Sequence, residues 1–169
     1  MSELGSAPIP GPDGEDHVRG PAAAPIVIEY ADFECPFCAA LDERLAELPA
    51  QIVFRHFPVR SSHPRARAAA CAAEAAHLQG RFWEMHDSLF ADQGRLEDPH
   101  LWRRAEQHGL DLERFDADRR SEAVLARVQR DFRSGVRGGV VTTPTLFQFH
   151  DGVARQTDAD ALAVRLARR

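Results

Sequence analysis

Cys35 and Cys38 are separated by Pro36 and Phe37, a Cys-x-x-Cys spacing that lets two thiols close a small disulfide ring with little backbone movement. The chemistry open to such a pair is dithiol–disulfide exchange, in which a thiolate attacks a disulfide sulfur and a neighbouring thiol resolves the mixed disulfide. Two other readings are weighed against it. A Cys-x-x-Cys can be half of a zinc site, but zinc takes about four ligands. The only other cysteine is Cys71, and the chain has no second Cys-x-x-Cys and no His-x3-His pair. The two cysteines could also be small unreactive core residues, which their surroundings argue against.

Those surroundings are a strand and a helix. Residues 26–31, Ile-Val-Ile-Glu-Tyr-Ala, are short, apolar and β-branched, as a central strand requires. Downstream, Leu41, Leu45 and Leu48 recur at spacings of four and three, the mark of one helix face. Cys35 then falls at the N-cap and Pro36 at the first helical position, where a missing N–H costs nothing. A helix N-terminus offers unpaired N–H groups and the positive end of a dipole, which favour a thiolate. Cys35 is therefore expected to be the exposed nucleophile and Cys38 the sheltered resolving thiol.

Further elements follow in order. Residues 1–16 carry Pro8, Pro10, Gly11, Pro12 and Gly14 among acids and read as a disordered leader. Gln51–Phe57 is a second strand, stopped by Pro58. A helical block begins near Pro64. It holds an alanine-rich helix with Cys71 as a small buried residue, then helices marked by Phe82–Phe90, Asp98-Pro99, Leu112 with Phe115, and Ser121. Gly135–Gly139 breaks the helical pattern. Thr142–Phe149 is a strand entered through Pro144, Asp151-Gly152 a hairpin turn into Val153–Gln156, and Asp158 or Asp160 caps a final helix ending in Arg165, Arg168 and Arg169. The order β-α-β, helical block, β-β-α gives an α/β fold with a mixed sheet.

The motifs together resemble the DsbA-like branch of the thioredoxin superfamily. They are Cys35-Pro-Phe-Cys38 after Glu29-Tyr-Ala-Asp-Phe-Glu34, with Val141-Thr-Thr-Pro144-Thr far downstream. The resemblance implies a thioredoxin-like domain over residues 17–169, with a helical insertion at about 64–137. It further implies a cis Thr143–Pro144 peptide beside Cys35, where Thr143 pairs with an extended substrate. Glu29 would lie buried below Cys38 and exchange its proton. Phe33 and Phe37, with Pro36 between the cysteines, would form an apolar rim for protein substrates. The implied activity is a protein disulfide oxidoreductase with a redox-active disulfide and no further cofactor. Its partners would be protein or small thiol and disulfide substrates and a recycling reductant or oxidant. One departure stands out: the strongly oxidising periplasmic enzyme has histidine where this chain has Phe37, so strong oxidising power is not expected here.

Composition narrows the alternatives. A length of 169 residues suits one domain, and a net charge of −5 leaves no basic footprint for nucleic acid. No run approaches the roughly 20 apolar residues of a membrane span. The N-terminus has no apolar signal region, so the expected location is the cytoplasm, although removal of an export signal would leave the same start. His56, His63, His77 and His86 lack metal spacing and read as surface or capping residues, with no metal expected. Trp83 and Trp102 read as core, and Arg65, Arg67, Arg103, Arg104, Arg119 and Arg120 as solvated faces. Two rival functions remain. One is a glutathione-linked or peroxide-reducing enzyme, and the other a non-enzymatic metal-binding or chaperone-like module.

Overall fold

A computed structural model describes residues 6–167. Its sheet has five strands in the order β1-β3-β2-β4-β5: β1 (His17–Arg19), β2 (Ile26–Ala31), β3 (Gln51–His56), β4 (Thr145–His150) and β5 (Val153–Thr157). β2 and β3 are parallel, with α1 (Pro36–Ala46) between them in sequence, and the other pairs are antiparallel. The sheet is thus mixed and the fold thioredoxin-like. The three residues of β1 are too few to show alternation in sequence.

Alternation along β2 sorts the core. Val27, with Ile52 and Leu146, packs on Leu41 and Leu45 of α1 and on Leu162 and Leu166 of α7 (Ala159–Ala167). Ile28 and Tyr30 pack with Val53, Phe57 and Phe147 on the other face. Both faces of β2 are covered, which is why the strand reads as a continuous apolar run. Between β3 and β4 lie α2 (Ala66–His77), α3 (Phe82–Ala91), α4 (Asp98–Gln107), α5 (Leu112–Asp118) and α6 (Glu122–Arg137). Ser121 caps α6 by accepting from the Val124 N–H at 3.2 Å, and Asp158 caps α7 by accepting from Ala161 at 2.7 Å. The Asp151-Gly152 turn has positive φ at both positions, 49° and 77°, as a tight hairpin turn requires. Arg168 and Arg169 lie outside the described residues.

Four expectations fail here. Gly135 does not break the helix: α6 continues to Arg137, and a Cβ on Gly135 would meet Phe57 at 2.8 Å, so the glycine permits close approach. The leader is not disordered from residue 6 onward. Ile9 is buried in the Tyr30–Phe147 cluster, and the Arg55 guanidinium donates to the Pro10 and Gly11 carbonyls and to both Asp16 carboxylate oxygens. Arg104 and Arg119 are buried rather than solvated. Arg104 donates to the carbonyls of Ser88, Asp92 and Arg95, while Arg119 pairs with Asp98 and Asp116. Trp102, by contrast, is 44% exposed, with its indole N–H donating to Asp116.

Candidate active site

β2 delivers the chain to a turn, and side chains from elsewhere fix that turn. The Asp32 carboxylate accepts from the N–H groups of Glu34 and Val59, each at 2.8 Å, and meets His63 Nδ1 at 2.8 Å. Gln93, just past α3, donates from Nε2 to the carbonyls of Phe33 (2.9 Å) and Cys35 (2.8 Å). Glu34 accepts from the Arg65 N–H at 2.7 Å and from its Nε at 2.8 Å. The helical block therefore holds the redox turn from outside the sheet. Asp32, two residues before Glu34, carried an Asx-turn signal that was legible in sequence. Gln93 carried none.

Cys35 is the N-cap of α1 in extended conformation, and Pro36 opens the helix. Its Sγ lies 3.5 Å from the carbonyl oxygen of Thr143, and the Thr143–Pro144 peptide is cis. The Cys35 thiol is held down at about 5. The Cys38 thiol beside it lowers it most, burial opposes, and the Thr143 side chain and the N–H groups of Cys38 and Phe37 lower it further. Cys38 goes the other way: burial and the contact with Cys35 push it far above the ordinary thiol range, although the Asp32 N–H lies 3.4 Å from its Sγ. One thiol is thus poised as a thiolate and its neighbour is kept protonated.

Cys35 is more recessed than an exposed nucleophile should be, at 3% exposure, because the Thr143 loop closes against the helix start. Phe33 is not part of a rim. It is buried, its ring 4.9 Å from Phe90 and 5.3 Å from Phe54, because it turns toward the helical block. Phe37 does protrude, at 73% exposure, and Pro36 is exposed beside it.

Glu29 lies two residues beyond Val27 and so shares the sheet face covered by α1. It is buried, and neither carboxylate oxygen has a hydrogen-bond partner. Burial pushes it up to about 8, Asp42 adds to the rise, and Arg19 works against it. Its charge is also felt at Cys38. The histidines defy the surface expectation: His17, His56 and His86 are buried. His17 and His56 each bring Nε2 to 2.7 Å from Glu74 Oε1, and Arg127 stands 4.0 Å from the same oxygen. With a guanidinium already beside it, that cluster suits a hydrogen-bonded ion network better than a metal.

A mixed sheet, a Cys-x-x-Cys at a helix start and a cis Thr-Pro loop against the first sulfur define a DsbA-like protein of the thioredoxin superfamily. Residues 13–164 match the family model described as thioredoxin, and the chain belongs to that family. The fold is similar to a thioredoxin-like oxidoreductase from Silicibacter pomeroyi DSS-3, with a TM-score of 0.76 and 25% identity over 92% of this chain and 94% of that one. It is also similar to oxidised BdbD from Bacillus subtilis, with a TM-score of 0.76 and 18% identity over 97% of each chain. Among curated proteins, the Na(+)/H(+) antiporter NhaA 1 of Mycolicibacterium gilvum is 47% identical over 141 residues, which are 78% of this chain and 23% of the antiporter. The chain thus spans less than a quarter of the length of that relative.

Proposed function

We propose that the protein is a thiol–disulfide oxidoreductase that exchanges disulfides with protein substrates through Cys35 and Cys38. The observation that carries this reading is the asymmetry of the pair. Cys35 is lowered to about 5 at a helix start, while Cys38 is buried and held as a thiol one turn further in. The Cys35 thiolate attacks a substrate disulfide, forming a Cys35–substrate bond and releasing one substrate thiolate. Cys38 gives up its proton, attacks Cys35 Sγ and releases the second substrate thiolate. The substrate leaves reduced and the pair leaves oxidised, and the same steps reversed oxidise a substrate dithiol. Glu29, buried on the same sheet face and felt electrostatically at Cys38, takes and returns the Cys38 proton in this reading. The backbone beside Thr143 offers strand-like pairing to an extended substrate. The cysteine pair carries the electrons without a further cofactor, and a separate thiol partner resets it.

The antiporter activity of the curated relatives belongs to proteins more than four times as long as their match to this chain, so the present reading rests on the site alone. The test is a pair of substitutions assayed with a disulfide-bonded protein substrate. Cys35→Ser abolishes turnover, and Cys38→Ser accumulates a substrate mixed disulfide. Full turnover in either variant overturns the mechanism. Glutathione-dependent turnover that survives loss of Cys38 would favour glutathione-linked chemistry instead.

A further inference from the structure

The Thr143–Pro144 loop has a depression on each side, and the two differ in charge. On one flank Phe37, Leu41, Pro144 and Leu146 line a space that also contains Asp158 and Arg44, the latter already paired with Asp160. On the other flank Phe57, Pro58, Phe132, Val140 and Val141 line an apolar groove of about 450 Å³ with Arg60 at its edge. This groove continues past Pro58, Arg60 and Phe132 into a second depression bordered by Arg67 and Arg133. No acidic side chain lines either part.

That absence sets the groove apart from the depression on the other flank, which contains Asp158. The chain carries net charge −5, and arginines such as Arg19, Arg55, Arg65, Arg119 and Arg127 are held by carboxylates. Arg60, Arg67 and Arg133 pair with no carboxylate among the described residues, and Arg133 reaches only the Gln129 side chain, at 3.3 Å. Val141, two residues before the Thr143 carbonyl that faces Cys35, is 89% exposed at the mouth of the groove. An apolar floor edged by unpaired guanidinium groups is complementary to a large apolar side chain with carboxylates beside it.

We propose that this groove docks the segment of a protein substrate flanking its reacting cysteine, and that it selects segments in which a large apolar residue is accompanied by Asp or Glu. The proposal rests on the exchange activity proposed above and adds a substrate class to it. Phe132 and Val141 take the apolar side chain, and Arg60 and Arg133 take the carboxylates. Two half-exposed charge contacts of this kind amount to about tenfold between an acidic and a basic segment at low salt.

The test uses the oxidised 169-residue chain and matched dithiol peptides carrying Leu-Asp-Glu or Leu-Lys-Lys on one side or the other of the reacting cysteine. Each peptide's rate is divided by its rate with 2-hydroxyethyl disulfide, which removes differences in intrinsic thiol reactivity. Dithiothreitol serves as an uncharged reductant. The acidic peptide of one orientation reacts about tenfold faster than its basic counterpart, and the advantage shrinks in molar salt. Arg60→Glu with Arg133→Glu reverses the order, while Arg103→Glu, an exposed arginine elsewhere, preserves it. Equal peptide rates beside normal reduction by dithiothreitol overturn the docking proposal alone, as does a preference that survives the double charge reversal. Failure of dithiothreitol and all peptides to exchange with the pair overturns both the docking proposal and the exchange reading.

Discussion

Replacing Glu29 with Gln should stabilise the protein at neutral pH while slowing the second half of its reaction. The Glu29 carboxyl is 1% exposed and without a hydrogen-bond partner, and burial raises it from its ordinary 4.5 to about 8. Between those values the folded chain keeps a proton that the unfolded chain has lost, so this group's contribution to stability falls as pH rises through the window. At pH 7 the cost is about 3 kcal/mol, and at pH 4 it has nearly vanished. Gln is close in shape and cannot ionise, so it removes the pH-dependent part and leaves the burial of a polar group in place. Urea unfolding of reduced native and Glu29→Gln protein at pH 4 and pH 7 reads the difference directly. A gain of about 3 kcal/mol at pH 7 with little change at pH 4 is expected.

The same substitution removes the base proposed for the Cys38 thiol. Single-turnover reaction with an aromatic disulfide separates attack by Cys35 from resolution by Cys38. The first step should be unchanged, and the second should slow by about 10²-fold, the lower end of what a positioned base contributes. The native resolving rate should also rise through a pH of about 8, and the variant should lack that inflection. A pH-independent stability change, or an unaltered resolving step, would refute the reasoning about Glu29.

Two other predictions concern groups outside the cysteine pair. Burial pushes the Glu74 carboxyl up, but hydrogen bonds from His17 and His56 overrule it and hold it well below the usual range. Its contribution is therefore present above the ordinary carboxylate range and lost as pH falls. Glu74→Gln should cost about 3–5 kcal/mol at pH 7 in urea unfolding, the cost of breaking a buried pair, and distinctly less near pH 3. Ile9→Ala should cost about 2–5 kcal/mol by the same measurement, since its side chain fills the space against Gly138 and Val140. No change would mean that residues 6–12 do not pack on the domain.

What sequence revealed and what it hid divides along a physical line. Cys35, Pro36 and Cys38 were legible because a strand pattern, a helix pattern and a first-turn proline are all local signals. The Asp151-Gly152 hairpin and the Ser121 cap were legible for the same reason. Hidden were the features set by distant partners. Phe33 reads as a rim residue beside the cysteines, yet its ring is claimed by Phe54 and Phe90. His17, His56 and Glu74 sit far apart in the chain, so no spacing rule could join them. The Pro- and Gly-rich segment before residue 17 has the composition of a disordered tail, but buried Arg55 needs its carbonyls and Asp16. Composition cannot register a hydrogen-bond demand raised elsewhere in the fold.

Phe37 poses the remaining question of redox poise. Its side chain offers no donor to the thiolate, which argued from sequence against strong oxidising power. Yet Cys35 is lowered to about 5, and the groups responsible are the Cys38 thiol, Thr143 and the N–H groups of residues 37 and 38. The Phe37 ring is exposed to solvent, and what position 37 gives the sulfur is its backbone N–H, which nearly any residue would supply. At pH 7 a thiol at about 5 is ionised about 100-fold more than one at 9.0, the ordinary cysteine value, which favours the reduced pair by about 60 mV in a two-electron couple. A thiol near 5 also lies between thioredoxin at about 7 and DsbA at about 3.5. Their potentials are about −270 and −120 mV, so interpolation places this pair at about −180 mV. Equilibration of Cys35–Cys38 in glutathione buffers, read by thiol tagging, measures it. A value at or below about −270 mV would mean that the Cys35 thiol lies at about 7 or above, as in thioredoxin, and would refute the lowering to about 5.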